Sequence, residues 1–86
     1  MAIELIIQNN LRRLRFDANE MTQQELARRA GVSRQAIIAI ESGKYAPSLE
    51  LAFRLALAFD KPIGEVFSCR IAGDKQRGNK GENDNA

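Results

Sequence analysis

Between Gln8 and Phe67 the apolar positions recur at helical spacing, and each run ends on a residue that stops helices. Ile7, Leu11, Leu14 and Ala18 fall on one face of a first helix, with Arg12, Arg13 and Arg15 between them. Asn19 is a left-handed stop. Thr22 with Glu25 three residues later is a capping box, so a second helix, TQQELARRA, starts there and ends at Gly31. Ser33 caps a third, RQAIIAIES, closed by Gly43. Ser48 caps a fourth that runs to about Phe59, and Pro62 opens a last turn through Val66. Five helices with connections of a few residues predict an all-α bundle of local contacts.

The ends change period. Ile3, Leu5 and Ile7 alternate with Glu4 and Ile6, and Phe67, Cys69 and Ile71 alternate with Ser68 and Arg70. Both stretches read as short strands, expected to pair antiparallel as a small terminal sheet backed by the first helix. The stretch from Gly73 to Ala86, GDKQRGNKGENDNA, has one aliphatic residue and charges of both signs that cancel. It is expected to be a disordered polar tail (73–86) behind a single domain (1–72).

The second and third helices pack Leu26, Ala27 and Ala30 against Val32, Ile37 and Ile40, with Gly31 turning the chain sharply. Two short helices joined at a steep angle through a glycine turn make a helix-turn-helix. With Ile37 at the centre of the core face, Ser33, Ile40 and Glu41 share its side, while Arg34, Gln35, Ile38, Ala39 and Ser42 fall on the flank or opposite. Those outer residues suit the major groove of DNA: Arg bonds guanine, Gln bonds adenine, and Ile38 or Ala39 meets a thymine methyl. The helix starts at Thr22 and Ser33 offer N–H groups to phosphates. For Ile38 burial against the chain is the rival reading, and for Tyr45 packing over the nearby loop competes with a phosphate contact.

Composition narrows the chemistry. The 86 residues fit one domain and carry 13 basic and 11 acidic side chains, net +2. Between Gln8 and Tyr45, however, seven basic residues face four acidic ones, so the mild overall charge hides a basic end. The chain has no His and one Cys, which excludes His-based nucleophile pairs, a disulfide framework and a thiolate zinc site. No catalytic group, metal or cofactor is expected, and an enzyme is the most distant reading. Cys69 is expected to be a quiet half-buried thiol in a reducing cytoplasm. The start MAIELIIQNN lacks the basic region of a signal peptide, and no apolar run reaches a membrane span.

From Leu11 to Phe67 the motifs TQ-x-ELA, AGVSRQ, I-x-x-I-E-x-G-K and P-S-L-E-L-A together resemble the phage-repressor/Cro (XRE-type) family of DNA-binding transcriptional regulators. The resemblance covers about two-thirds of the chain. It implies a five-helix lambda-repressor-like fold in which Arg34, Gln35 and the position of Ala39 reach bases. Gln23, Ser33, Ser42 and Lys44 then grip the backbone. Arg15 and Glu41 match a pair that joins the first helix to the recognition helix near a phosphate. The loop Asn19–Glu20–Met21 departs from the family by one extra residue and no glycine, and Ala39 is too short for polar readout. Arg28 and Arg29 stand as either solvated charges or contacts, and the Arg15–Glu41 pair as either structural or docking.

The fourth helix is apolar on two sides. Leu51, Ala52, Leu55, Ala58 and Phe59 are core; Leu49, Phe53 and Leu57 lie nearly opposite, with Leu49 a candidate for absorption into the bundle. A homodimer seam of Leu57, Phe53, Ile63 and Phe67 is expected, placing two recognition helices on a pseudo-palindromic operator of double-stranded DNA. The chain is thus expected to be a homodimeric regulator acting by occupancy, with promoter geometry deciding between repression, the favoured reading, and activation, and with no effector domain for a small molecule. The rival is an antitoxin-like or scaffold module whose fourth helix takes a different protein.

Overall fold

The computed structural model describes residues 3–73. The elements follow the chain as β1 (Leu5–Asn9), α1 (Leu11–Asp17), α2 (Gln23–Ala30), α3 (Arg34–Glu41), α4 (Leu49–Phe59), α5 (Ile63–Val66) and β2 (Phe67–Ile71). Of the tail expected to be disordered (73–86), Gly73 is described, in a turn at φ +83, and 74–86 lie outside the described residues. No helix among the described residues is long and apolar enough to cross a membrane.

Three hydroxyl caps set the helix starts. Thr22 Oγ1 accepts from the Glu25 amide at 3.0 Å, Ser33 Oγ from Ala36 at 3.1 Å and Ser48 Oγ from Leu51 at 3.1 Å. Each satisfies an amide with no partner inside its helix, worth about 1 kcal/mol. The capping box at Thr22 is half made: the Glu25 carboxylate turns to Arg28 and Arg29 instead of back to Thr22. Gly31 ends α2 at φ +75 and donates to the carbonyls of Ala27 and Arg28. Asn19 is left-handed as expected, and Glu20 follows it at positive φ, so the long loop between α1 and α2 turns on two consecutive non-glycine residues.

Leu11, Leu26, Ile37, Ile40, Leu55 and Val66 form the fully buried centre, closed by Leu14, Met21, Ala27, Ala30, Leu51 and Ala56. Ala27 is fully buried on α2, the helix that packs against both α3 and α4. Val32 is half-buried against this core rather than within it.

The two strands pair antiparallel, with Leu5 opposite Ile71, Ile7 opposite Cys69 and Asn9 opposite Phe67. Ile7 therefore sits in β1 and not on the α1 face, because the chain turns at Asn10 before helical geometry begins at Leu11. The sheet is moored at its inner end. Asn9 Nδ2 donates to the Ile40 carbonyl at 2.9 Å, Asn10 Nδ2 to the Glu65 carbonyl at 3.0 Å, and Phe67 packs on the core. Its outer end projects, which leaves Leu5, Ile7 and Ile71 exposed. Cys69 is exposed rather than half-buried: on its face of β2 only Phe67, at the inner end, packs on the core, and Cys69 lies further out.

Candidate nucleic-acid interface

Arg34, Gln35 and Ile38 lie on the outward side of α3, opposite the buried Ile37 and Ile40. Ile38 is 37% exposed, so the reading that buried it is not met. Ala39 is half-buried, a flank position, and Ser33 is exposed rather than on the core side. The shift at Ser33 follows from its extended backbone: as a cap it precedes the first helical turn and does not share the helix's face. Ser42 and Lys44 are exposed at the far end, where Ser42 Oγ donates to the Ala39 carbonyl at 3.1 Å.

A charged constellation fixes α3 to α1 and α2. Arg15 Nε donates to Glu41 Oε2 at 2.7 Å and its Nη2 to Glu41 Oε1 at 3.0 Å. Its Nη1 donates to the Met21 carbonyl at 2.9 Å. Gln23 Nε2 shares Glu41 Oε1 at 3.2 Å. The side chains of Arg15 and Glu41 are 16% and 10% exposed. The fork geometry of guanidinium on carboxylate, partly shielded from water, locks the angle between three helices more firmly than apolar packing alone. Three of the five N–H groups of Arg15 are spent in this way.

Arg15, Thr22, Gln23 and Arg34 line one open basin of about 550 Å³ with Arg12 and Glu41. The folded chain thus brings together residues from three helices, separated by over 20 positions in sequence, into a positive concavity beside the outward face of α3. Arg12 was not singled out by sequence reasoning. Its signal was present: it precedes Arg15 by three residues and so shares that side of α1.

Arg28 and Arg29 resolve differently. Both donate to Glu25, at 2.6 Å and 2.8 Å, as i+3 and i+4 partners on the exposed side of α2. Hydrogen bonds from Arg28 first and Arg29 second hold the Glu25 carboxyl down to about 2, from an ordinary value of 4.5. These cations are engaged within their own helix.

The four residues expected at a subunit seam are divided. Leu57 is 77% exposed and Phe53 49%, while Ile63 and Phe67 are half-buried against the core. Leu49 is 70% exposed and is not absorbed by the bundle, since α4 turns its other side, Leu51, Ala52, Leu55 and Ala56, to the core. Leu49, Phe53 and Leu57 thus form an uncovered stripe among the described residues.

A family model described as helix-turn-helix matches residues 11–66. An uncharacterized HTH-type transcriptional regulator of Methanocaldococcus jannaschii is 55% identical over 49 residues, spanning 57% of this chain and 74% of that protein. One from Archaeoglobus fulgidus is 51% identical over 47 residues, 55% of this chain and 66% of that protein. One from Bacillus subtilis is 44% identical over 46 residues, 54% and 70% of the two chains.

Proposed function

The chain belongs to the helix-turn-helix family of transcriptional regulators, of the phage-repressor/Cro type, and from that premise we propose that it binds double-stranded DNA with α3 in the major groove. The observation that carries this reading is the outward placement of Arg34 and Gln35 at the start of α3, next to the basin of guanidiniums. Arg34 reads guanine through a bidentate bond, Gln35 reads adenine, and Ile38 supplies an apolar contact to a thymine methyl. Ala39, half-buried, adds at most its methyl. Thr22, Gln23, Ser33, Ser42, Lys44 and the remaining N–H groups of Arg15 dock phosphates, which set register without reading sequence.

The protein acts as a homodimer in this proposal, through a seam that includes the stripe Leu49, Phe53 and Leu57 and the neighbouring Ile63 and Phe67. Two-fold symmetry then sets the two α3 helices about 34 Å apart on a pseudo-palindromic operator. Regulation is by occupancy: the bound dimer blocks access to a promoter. The second reading, a partner protein on α4, draws on the same stripe; it is favoured if the purified chain is a monomer that nonetheless binds DNA.

Selection of bound duplexes from a random pool tests the proposal. The expected outcome is a recovered palindrome, with Arg34→Ala weakening that site by about 1–3 kcal/mol and relaxing one base position per half-site. Equal loss on selected and random duplexes would demote Arg34 to a phosphate contact. Failure to enrich any sequence would remove base readout altogether.

A further inference from the structure

A second concavity lies between the projecting sheet and the loop that joins α3 to α4. It measures about 280 Å³ and is lined by Leu5, Ile7 and Phe67 on the sheet side and by Ile40, Tyr45 and Pro47 on the other. No charged side chain lines it. Asn9, its one amide side chain, is spent: Nδ2 donates to the Ile40 carbonyl and Oδ1 accepts from the Leu11 amide. Such a cleft offers nothing to a phosphate and suits the apolar centre of a protein interface. Leu5, Ile7 and Tyr45 in its walls are exposed, as is Ile71, paired across the strands with Leu5. The apolar surface does not stop there. Pro47 in the loop wall leads to Leu49, two residues on, where the α4 stripe begins, and Phe67 already belongs to the proposed seam.

The α4 stripe by itself is too small to hold two copies together. Leu49, Phe53 and Leu57 offer roughly 100 Å² of apolar side chain apiece, on the order of 300 Å² in all, against about 800 Å² per partner in a stable interface. We infer that a second copy of this chain seats on the cleft between the sheet and the α3–α4 loop, so that the subunit seam runs from α4 across Pro47 and Phe67 onto Leu5, Ile7 and Tyr45. This rests on the homodimer reading above. It gives Tyr45 a subunit contact in place of a phosphate. Ile40 in the cleft wall belongs to the last turn of α3, so the partner copy abuts the helix that carries Arg34 and Gln35.

The test is sedimentation equilibrium of the full-length protein for wild type, for Ile7→Glu and Ala46→Arg in the two walls of the cleft, and for Phe16→Glu as a control. Phe16 lies on α1 beside Arg12 and Arg13, outside the cleft. All three positions are exposed, and circular dichroism verifies that each variant remains folded. In the expected result Ile7→Glu and Ala46→Arg each raise the dimer dissociation constant at least about tenfold, as an unpaired charge in an apolar seam does. Phe16→Glu leaves it unchanged. A wild-type dissociation constant in both wall variants would overturn the inference while leaving a homodimer held elsewhere. Equal weakening by Phe16→Glu overturns it too, since the effect then belongs to added charge and not to the cleft. A wild-type protein that sediments as a monomer at every concentration sinks the homodimer reading itself, and the role of the cleft falls with it.

Discussion

Arg15 and Glu41, 26 positions apart in the sequence, meet in a two-pronged ion pair that ties α1 to the last residue of α3. The pair fixes the tilt of the helix that carries Arg34 and Gln35, so its strength bears on stability and, in the proposed function, on recognition.

Glu41→Gln leaves a largely shielded Arg15 without its carboxylate and is expected to cost about 2–3 kcal/mol. Replacing both partners by apolar residues, Arg15→Met with Glu41→Leu, costs less than the single change, because no charge is left stranded. Urea denaturation of the two variants measures the difference. A double variant less stable than Glu41→Gln would show that the geometry of the pair, rather than the stranded charge, dominates.

Gly31 sits at φ +75, a conformation that side chains with a Cβ adopt at a cost of about 1–2 kcal/mol. A Cβ at Gly31 would also stand 3.0 Å from Arg54 Nη1, the mobile end of a long side chain that can swing aside. Gly31→Ala is therefore expected to lower stability by the backbone cost, and to do so equally in an Arg54→Ala background. Rescue by Arg54→Ala in thermal melts would shift the cause from backbone strain to the side-chain contact.

The Glu25 carboxyl titrates at about 2 in the folded chain and near 4.5 when unrestrained. A carboxyl lowered on folding contributes stability that is fully present above its unfolded value and is lost as pH falls toward its folded value. The Tm advantage of wild type over Glu25→Gln is thus expected to be constant above pH 5 and to shrink between about 4.5 and 2. The exposed position of Arg28 and Arg29 means that added salt narrows the advantage at neutral pH as well. A Tm difference that does not change with pH contradicts the network as the source of the shift.

Leu57→Glu places a charge on the most exposed leucine of α4. The side chain is 77% exposed, so the fold itself should change by no more than about 0.5 kcal/mol. On the proposed homodimer, light scattering is expected to give a dimer mass for wild type and a monomer mass for Leu57→Glu. An unchanged dimer mass removes Leu57 from the seam and turns attention to the projecting sheet, where Leu5, Ile7 and Ile71 are also exposed.

Much of this molecule is written locally. The helix starts at Thr22, Ser33 and Ser48, the stop at Gly31 and the alternating strands at either end are all short-range effects of capping, left-handed backbone and side-chain periodicity. The outward position of Arg34 and Gln35 follows from the same arithmetic, once Ile37 and Ile40 are assigned to the core. Such features depend on residues within a few positions of one another, and the sequence by itself determined them.

Long-range placement was decided by the tertiary structure. Whether Leu49 and Cys69 are covered depends on which elements come to lie over them, and spacing along one helix or strand carries no record of that. Glu25 had two geometrically allowed uses, and two guanidiniums within one helical turn outcompeted a single backbone amide. The gathering of Arg12, Arg15, Gln23, Arg34 and Glu41 required three helices to converge. Convergence of that kind is set by how the buried Leu26, Ile37 and Leu55 pack, and apolar packing is non-directional until every neighbour is in place.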